Sequence, residues 1–435
     1  MLKPESKTTT EMTNPIRSIR GMNDILPQDM QHWHALEQAA EQTFVACNYE
    51  EIRVPLLEKT EVFKRAIGSA TDVVSKEMYS FDDRNGESLS LRPEGTAGVV
   101  RAVLQNGLLY GPVKRLWYGG PMFRYERPQK GRSRQFHQIG AELFGAPGAD
   151  ADAEILALGT QLWSRLGLDN LRLEINSLGN ADERSAYREQ LQLFLRGHQA
   201  ELDVDTNERV ERNPLRVLDS KDPQVQALLE NAPLLIDQLG EESLGHYRQL
   251  KAYLDLLGIE YHENPRLVRG LDYYCHTVFE WITDELGAQG TVCAGGRYDS
   301  LVEIQGGKPW PGIGFAMGKE RLVELLRQKD DIAASSAHAY LVAVGEGSTE
   351  SALKLAYDLR AGCADLRLIN NLNGGSFKAQ FKRADRSAAG LALVLGEDEI
   401  KNGQVTVKFL RSDEAQLTLG RNETLDWIRV YIDSM

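Results

Sequence analysis

The chain has 435 residues, of which 42% are apolar and 26% are charged, and it carries a formal net charge of −13. This length predicts two or three domains, each large enough to bury its own core. No apolar run approaches the roughly 20 residues that a membrane-spanning helix needs. The acidic balance argues against non-specific DNA binding, which usually requires a broadly basic surface.

The cysteines and the N-terminal segment indicate a protein of the reducing cytoplasm. Cys47, Cys275, Cys293 and Cys363 are widely spaced and form no CxxC pair. Neither a thiolate zinc site nor a disulfide framework is therefore expected, and we predict no metal site. Residues 1–14 are polar, lack the apolar stretch of a secretory signal, and are expected to be disordered.

The first predicted element is an amphipathic helix over residues 28–48. Apolar residues recur along it at helical spacing and predict one buried side: Trp33, Leu36, Ala40, Phe44 and Val45. The segment that follows predicts a strand that Pro55 interrupts, which suits a sheet edge or an interface. Short strands are then predicted at 78–81, 87–92, 116–125 and 134–144. The turn signals between them favour an antiparallel sheet.

The middle of the chain predicts a domain that is interrupted by an insertion. A helix is predicted over 150–167 and a strand over 170–176. Residues 180–257 are charged, have helical periodicity, and contain prolines that break helices, so we interpret them as a helical insertion. Strand character returns at 266–282 and 289–295, and residues 312–327 predict a glycine-rich turn that opens a helix. The sequence thus predicts one α+β domain, with an antiparallel sheet and flanking helices, formed by residues 15–179 and 258–330.

A separate C-terminal domain is predicted over residues 338–435. Strands and helices alternate along it, from AYLVAV at 339–344 to VTVKFL at 405–410, which indicates an α/β domain with a mostly parallel sheet. Residues 331–337, rich in Ala and Ser, predict the linker.

The segment most informative about function is residues 124–134. It holds five basic residues and one acid, a net charge of +4 within an acidic chain: Arg124, Glu126, Arg127, Lys130, Arg132 and Arg134. Guanidinium groups bind phosphate oxygens bidentately, so the segment indicates a compact polyanion. Gln138 and Glu142 follow on one predicted strand face, which suggests a nucleotide that reacts with a small polar molecule. The alternative is a solvated hairpin edge whose charges prevent aggregation.

Four further clusters combine glycines with polar or aromatic groups. They are LRPEGT (91–96), in which Thr96 is a candidate helix cap, LVRGLDYY (267–274), AGGRYD (294–299) and GIGFAMGKER (312–321). Taken singly, each is explained as well by a turn or by core tyrosines. The glycines at 312–318 lack the βαβ context of a dinucleotide site, and the chain contains no GxxxxGK[ST] loop. If ATP is a substrate, arginines must hold its phosphates.

Together these motifs resemble the histidyl-tRNA synthetase family of class II aminoacyl-tRNA synthetases, from about Ile19 to the C-terminus. VPLLEKTEVFKRAIG resembles motif 1, with Pro55 at the dimer interface, and LRPEGT and FRYERPQKGRSRQFHQIGAELFG resemble the motif 2 region. LVRGLDYYCHTVFE and AGGRYD resemble the two histidine-specific motifs, and GIGFAMGKERL resembles motif 3. The resemblance implies a class II synthetase fold, a homodimer, and an anticodon-binding domain at 338–435.

The resemblance also implies the reaction. Members of this family ligate L-histidine to tRNA(His) with ATP through a histidyl-adenylate, and they release AMP and diphosphate. No protein nucleophile is needed, so catalysis consists of positioning and charge stabilisation. Mg²⁺ is expected to accompany ATP, with no tightly bound cofactor, and neither a membrane nor DNA is an expected partner.

The resemblance finally assigns roles to residues. Arg124 and Arg269 are expected to be catalytic, at the α-phosphate. The expected ATP site comprises Arg124, Glu126, Arg127, Arg132, Phe136, Arg269 and Arg321. Histidine is expected to contact Glu94, Thr96, Gln138, Glu142, Tyr273, Tyr274 and Tyr298. The tRNA is expected to contact Arg127, Lys130, Arg132, Lys378, Lys382 and Arg383. Strand alternation directs His137 away from the face of Gln138, so a structural role is expected for it.

Two non-catalytic alternatives remain at this stage. One is a synthetase-like regulatory subunit of ATP phosphoribosyltransferase, which generally lacks the anticodon domain and the catalytic arginines. This chain keeps Arg124, Arg269 and Arg321 and continues for about a hundred residues beyond the linker. The other is a regulatory domain that binds tRNA-like RNA without activity, and ATP–diphosphate exchange would separate it from an enzyme.

Overall fold

The computed structural model describes residues 16–68, 71–111, 113–129, 131–271, 273–287, 290–329 and 336–434. The chain divides into two compact units, Met1–Ile332 and Ala333–Met435. The predicted disordered segment 1–14 and most of the predicted linker 331–337 lie outside the described residues. No helix among the described residues is long and apolar enough to cross a membrane.

The first unit contains ten helices and eleven strands among its described residues. Up to the first long hairpin these are α1 (Met30–Ala46), β1 (Glu50–Glu51), β2 (Leu57–Lys59), α2 (Thr60–Ile67), β3 (Ser80–Asp82), β4 (Ser88–Leu91), α3 (Thr96–Gln105), β5 (Lys114–Phe123) and β6 (Gln135–Phe144). There follow α4 (Ala149–Arg165), β7 (Arg172–Ser177), α5 (Ala181–Arg196), α6 (Val204–Arg212), α7 (Pro223–Leu229), α8 (Glu241–Leu257), β8 (His262–Glu263), β9 (Cys275–Ile282), β10 (Thr291–Arg297), α9 (Leu301–Ile304), β11 (Gly312–Gly318) and α10 (Lys319–Gln328).

The central feature of this unit is an eight-stranded sheet in the order β1-β5-β6-β11-β10-β9-β7-β8. The six strands from β5 to β7 pair antiparallel with their neighbours, as predicted. The two-residue strands at the edges, β1 and β8, are parallel to theirs, so the whole sheet is mixed. Strands β2, β4 and β3 form a separate small antiparallel sheet.

Two local predictions were wrong because long-range pairing decides them. Residues 312–318 form strand β11 between β6 and β10, whereas the glycines predicted a turn. A Cβ atom at Gly314 would lie 1.8 Å from Oε2 of Glu142, so the glycine admits that side chain beneath the strand. The segment around Pro55 is not one interrupted strand. Its two ends, β1 and β2, belong to different sheets.

Hydrophobic packing covers both faces of the large sheet. One face buries Ile139, Ala141 and Leu143 of β6 against helices α1, α4, α8 and α10. The buried side of α1 contains Trp33, Leu36, Ala40 and Phe44, as predicted, but the prediction for Val45 was wrong because its side chain is 62% exposed. The even-numbered residues of β6 point to the other face, where the polar side chains of the site gather.

Residues 180–257 are mainly helical, and the last helix of this segment packs into the main hydrophobic core. Asn180 begins α5 with a capping box, in which its side chain accepts from Glu183 N and Glu183 Oε2 accepts from Asn180 N. Short 3₁₀ segments occur at Gln199–Glu201, Pro214–Val217 and Leu235–Gln238. Helix α8 packs its Leu250 and Leu254 into the same core as α4, which ties the end of this segment to the sheet.

The second unit is an α/β domain with its own five-stranded sheet. Its elements are β12 (Ala339–Ala343), α11 (Ser348–Gly362), β13 (Leu368–Asn370), α12 (Phe377–Arg386), β14 (Leu391–Leu395), α13 (Glu397–Asn402), β15 (Gln404–Phe409), β16 (Leu417–Gly420) and α14 (Arg421–Asp433). The strand order is β13-β12-β14-β15-β16. The expected parallel pairing holds across β13, β12 and β14, whereas β15 and β16 pair antiparallel.

Candidate active site

A cavity of about 720 Å³ opens on the polar face of the large sheet. It brings together side chains from all five sequence clusters, and Glu94 and Arg321 in its lining are 227 positions apart. The predicted site residues that line it are Glu94, Thr96, Arg124, Glu126, Arg132, Phe136, Gln138, Arg269, Tyr273, Tyr274, Tyr298 and Arg321. Arg127 and Glu142 do not line it, and Lys130 lies outside the described residues.

Three guanidinium groups converge on one side of the cavity. Arg124 donates from Nε to the carbonyl of Pro93 at 2.9 Å, and its guanidinium lies 5.3 Å from the centre of the Phe136 ring. Arg321 donates to the carbonyl of Thr291. Burial lowers the pKa of Arg321, and the positive charge of Arg132 lowers it further. Like charges held together in this way favour the binding of an anion between them.

Glu126 is the carboxylate closest to this arginine group. Its Oε2 lies 3.4 Å from Nη1 of Arg132 and its Oε1 lies 3.9 Å from Nη1 of Arg124. A single carboxylate shared between two arginines leaves a local excess of positive charge for phosphate oxygens.

Arg269 lines the same cavity and is linked to Arg321 through Glu280 and Thr291. Its Nη1 donates to Oε1 of Glu280, and Thr291 donates to the other oxygen of that carboxylate at 2.9 Å. Burial alone lowers the pKa of Arg269, but Glu280 together with Tyr274 and Tyr273 outweighs it and the net shift is upward. The buried Nε of Arg269 has no hydrogen-bond partner among the described residues. The guanidinium is thus charged, oriented by Glu280, and its Nε–H group is available to a ligand.

Glu94 caps the helix that forms one wall of the cavity. Its two carboxylate oxygens accept from the backbone N–H groups of Thr96, at 2.7 Å, and Ala97, at 2.9 Å. The sequence prediction that Thr96 caps this helix was wrong, since Thr96 is the first residue of α3 and follows Gly95. Burial raises the pKa of Glu94, and these two backbone donors oppose the shift.

Glu142 lies behind the residues that line the cavity. Its side chain is fully buried and accepts from Thr96 Oγ1 at 2.6 Å and from the hydroxyl of Tyr298. Burial raises the pKa of Glu142 to about 8, although both hydroxyl donors act to lower it. Glu142 therefore reaches the cavity through the hydroxyl groups of Thr96 and Tyr298.

A buried ion pair supports the strand end that carries Tyr298. Arg297 donates to Oδ1 of Asp152, and His246 lies 2.7 Å from the other oxygen of that carboxylate. Burial alone would raise the pKa of Asp152, but His246 and Arg297 lower it. Because the partners lie on α4, α8 and β10, this network couples the end of the helical segment to the cavity wall.

Glu280 and Asp152 were not identified from the sequence. Glu280 orients Arg269, and Asp152 pairs with Arg297. Glu280 stands within LVRGLDYYCHTVFE, so alternation along its strand offered a weak signal. Asp152 offered none, because Arg297 follows it by 145 positions. His137 faces away from the cavity, where Nδ1 lies 3.0 Å from Oε1 of Glu320 and the ring packs edge-on against Trp33.

The predicted RNA contacts of the second unit separate into two kinds. Lys378 and Lys382 are exposed on α12. Arg383 instead holds the loop before that helix, because it donates to Asn371 Oδ1 at 3.0 Å and to the carbonyl of Gly374. Phe377, at the start of α12, is 50% exposed. An exposed aromatic ring beside two lysines can contact a base and its phosphates.

A six-strand antiparallel core, an arginine-lined cavity on one face and a capped helix beside it define the class II aminoacyl-tRNA synthetase fold. Residues 21–322 match the family model described as histidyl-tRNA synthetase, and residues 338–431 match the model of an anticodon binding domain. The chain belongs to the histidyl-tRNA synthetase family.

Solved structures support the same assignment. Apo histidyl-tRNA synthetase of S. aureus is 35% identical, with 95% of this chain and 100% of that chain covered and a TM-score of 0.78. Histidyl-tRNA synthetase from Nostoc sp. PCC 7120 is 18% identical, with 96% and 100% covered and a TM-score of 0.68. A protein from Bacillus halodurans C, titled ATP phosphoribosyltransferase regulatory subunit/histidyl-tRNA synthetase, is 22% identical, with 88% and 99% covered and a TM-score of 0.63. At these two lower identities the likeness concerns the fold alone.

Proposed function

We propose that this protein joins L-histidine to tRNA(His) at the expense of ATP, through a histidyl-adenylate. The observation that carries the proposal is the convergence of Arg124, Arg269 and Arg321 on one cavity beside the carboxylate of Glu94. Arginines can hold the triphosphate, and a carboxylate can receive the α-ammonium group of an amino acid. The anticodon binding domain supports tRNA as the second substrate.

In the first step, the carboxylate oxygen of histidine attacks the α-phosphorus of ATP and diphosphate leaves with the electron pair of the broken P–O bond. Arg124 and Arg269 would flank this phosphorus and stabilise the charge on its oxygens, while Arg321 would hold the terminal phosphate. Phe136, which already lies below Arg124, would stack on the adenine. Arg132 would meet the departing diphosphate.

In the second step, the terminal ribose hydroxyl of the tRNA attacks the acyl carbon and AMP leaves. Tyr273, Tyr274 and Tyr298 line the part of the cavity nearest Glu142, where the imidazole would lie. A site that hydrogen-bonds both ring nitrogens can reject an apolar isostere by roughly 10⁴-fold without editing.

Magnesium would arrive with ATP as part of the substrate and shield its phosphate charges. Among the described residues no three His, Cys, Asp or Glu side chains gather into a metal cluster. Glu280, the acid next to Arg269, is already used to orient that guanidinium. The residues present therefore fit a metal held mainly by phosphate oxygens and water.

Histidine-dependent ATP–diphosphate exchange tests the proposal. We expect exchange with histidine and, by the ratio above, roughly 10⁴-fold less with phenylalanine. Exchange without amino-acid selectivity, or none from a folded protein, would contradict it. The second result would favour a non-catalytic regulatory subunit.

We further propose that the protein is a homodimer joined through the small β2-β4-β3 sheet. Pro55 is exposed beside it, and Leu56, Leu57 and Phe81 are 43%, 37% and 48% exposed. An exposed apolar cluster of this kind is typical of an interface. Sedimentation velocity is expected to give a dimer, and Leu57→Asp a monomer. A monomeric wild type would contradict the proposal.

The four cysteines are all free thiols, two of them in or beside the cavity region. Burial raises the pKa of Cys293, so it is a poor nucleophile at neutral pH. Free thiols suit the reducing cytoplasm, which we propose as the compartment of this protein.

A further inference from the structure

A second cavity, of about 290 Å³, lies between the helical segment 180–257 and the LVRGLDYY segment that precedes β9. It shares Arg269, Leu271 and Tyr274 with the active-site cavity, so the two meet at Arg269. Its remaining described lining comes mainly from α5, α6 and the Pro214–Val217 turn.

Five arginines line this second cavity, and none of its described lining residues is acidic: Arg184, Arg188, Arg212, Arg216 and Arg269. Two of them use a donor on a neutral backbone carbonyl. Arg184 donates to the carbonyl of Tyr274, and Arg188 donates to that of Arg212 at 3.1 Å. These contacts orient the guanidinium groups without neutralising them.

The other two guanidinium groups contributed by the helical segment are weakly compensated. Arg212 lies 3.9 Å from Glu208 on the surface, where an ion pair contributes little. Arg216 has no acidic partner among the described residues. It lies against the backbone beside Arg269, because a Cβ atom at Gly270 would stand only 3.3 Å from its Nη1. The absence of a side chain at Gly270 thus allows the guanidinium of Arg216 to lie close to the backbone next to Arg269.

We propose that this cavity binds a phosphate group, as a second subsite next to the adenylation site. The inference rests on the proposed function, which identifies the molecule that would supply this phosphate group. The phosphate is either a phosphodiester near the 3′ end of the tRNA, whose terminal hydroxyl must reach the adenylate beside Arg269, or free phosphate or diphosphate. In both cases the ligand is an anion that accepts hydrogen bonds in several directions.

The test compares Arg216→Gln and Arg188→Gln/Arg216→Gln with the wild type. Arg196→Gln is the matched control, since Arg196 is on the same helix as Arg188 but pairs with Glu211 on the surface. Filter binding with a histidine tRNA transcript is measured across a range of salt concentrations, and titration calorimetry is measured with inorganic phosphate and with diphosphate. Thermal melting establishes that each variant is folded.

Loss of one phosphodiester contact is expected to weaken RNA binding by about 3- to 10-fold and to reduce the slope of log K against log salt by roughly 0.7 to 1. That result with unchanged diphosphate affinity identifies the RNA as the source. A weaker calorimetric affinity for phosphate or diphosphate with unchanged RNA binding identifies the free anion. If the folded double variant matches Arg196→Gln in every measurement, the subsite does not exist.

This test is separable from that of the main proposal. Histidine-dependent exchange requires no RNA and is expected to stay within about twofold of wild type in the control Arg196→Gln. If wild-type exchange is absent, the main proposal fails. The two binding measurements still show whether the second cavity binds a phosphate group. If exchange is normal and binding is unaltered, only the second subsite is rejected.

Discussion

Replacing Arg269 by alanine is expected to lower the rate of histidine-dependent ATP–diphosphate exchange by about 10²-fold or more, the typical loss for one preorganised donor at a developing oxyanion. Arg269 is buried, charged and aimed by Glu280, and its Nε has no partner among the described residues. An arginine in that state contributes stabilisation without reorganising during the reaction. The loss should appear in kcat, with a smaller change in the KM for ATP.

The same substitution removes one partner of a largely buried ion pair, so its effect on folding must be separated. An uncompensated carboxylate at Glu280 would be destabilising. A second variant, Arg269→Met with Glu280→Gln, removes both charges. The amide that replaces the Glu280 carboxylate can still accept a hydrogen bond from the hydroxyl of Thr291. Arg266→Ala is the control, because Arg266 lies three residues away and lines neither cavity. Wild-type kcat in a folded Arg269 variant would exclude a catalytic role for this arginine.

Replacing Glu142 by glutamine is expected to lower kcat/KM for histidine by roughly 10- to 100-fold, the value of one or two hydrogen bonds. Glu142 accepts from Thr96 and Tyr298, and both of these side chains line the cavity. A neutral amide cannot accept from both hydroxyls as strongly. The effect should be concentrated in the KM for histidine, and the KM for ATP should change little.

The stability of the protein should also depend on Glu142. Its pKa is raised from 4.5 to about 8 by burial. Between these values the folded state retains a proton that the unfolded state has lost, so the free energy of unfolding falls as the pH rises through this window. The contribution is at most one proton, or about 1.4 kcal/mol per pH unit. Glu142→Gln should flatten the pH profile from urea unfolding between pH 5 and 8.

An exposed acid provides the control for this profile. Glu303 is exposed at the end of α9, and Glu303→Gln should leave the slope as it is in the wild type. If Glu142→Gln and Glu303→Gln gave the same slope, Glu142 would be ionised in the folded protein and its raised pKa would be wrong.

The site could be assembled only in part from the sequence. Arg124, Phe136 and Gln138 follow one another on a single hairpin, so their grouping follows from strand alternation. The grouping of Arg321 and Arg269 with them came from resemblance to a family. Lys378 and Arg383 illustrate the limit: both are basic residues of α12, yet Arg383 holds the preceding loop through Asn371 while Lys378 is exposed.

Local chemistry determined the elements whose signal repeats along the chain. Helices α1 and α4 and strands β5 and β6 were predicted to within a few residues, because apolar side chains recur there with the period of the structure they form. The change from strand-rich to helical to alternating composition likewise predicted a helical insertion and a separate C-terminal α/β domain. These properties depend on residues that are neighbours in the sequence, so they can be predicted from the sequence alone.

Tertiary structure alone decided the features that depend on distant partners. Strand β11 exists because β6 and β10 supply its hydrogen bonds, although its three glycines predict a turn. Glu142 has a pKa of about 8 because the folded chain buries it, although the hydroxyls of Thr96 and Tyr298, from two other parts of the chain, oppose the shift. The arginine-lined cavity next to Arg269 likewise forms only when the helical segment folds back on the sheet. Burial and charge arise from what surrounds a side chain, and those surroundings do not exist until the chain has folded.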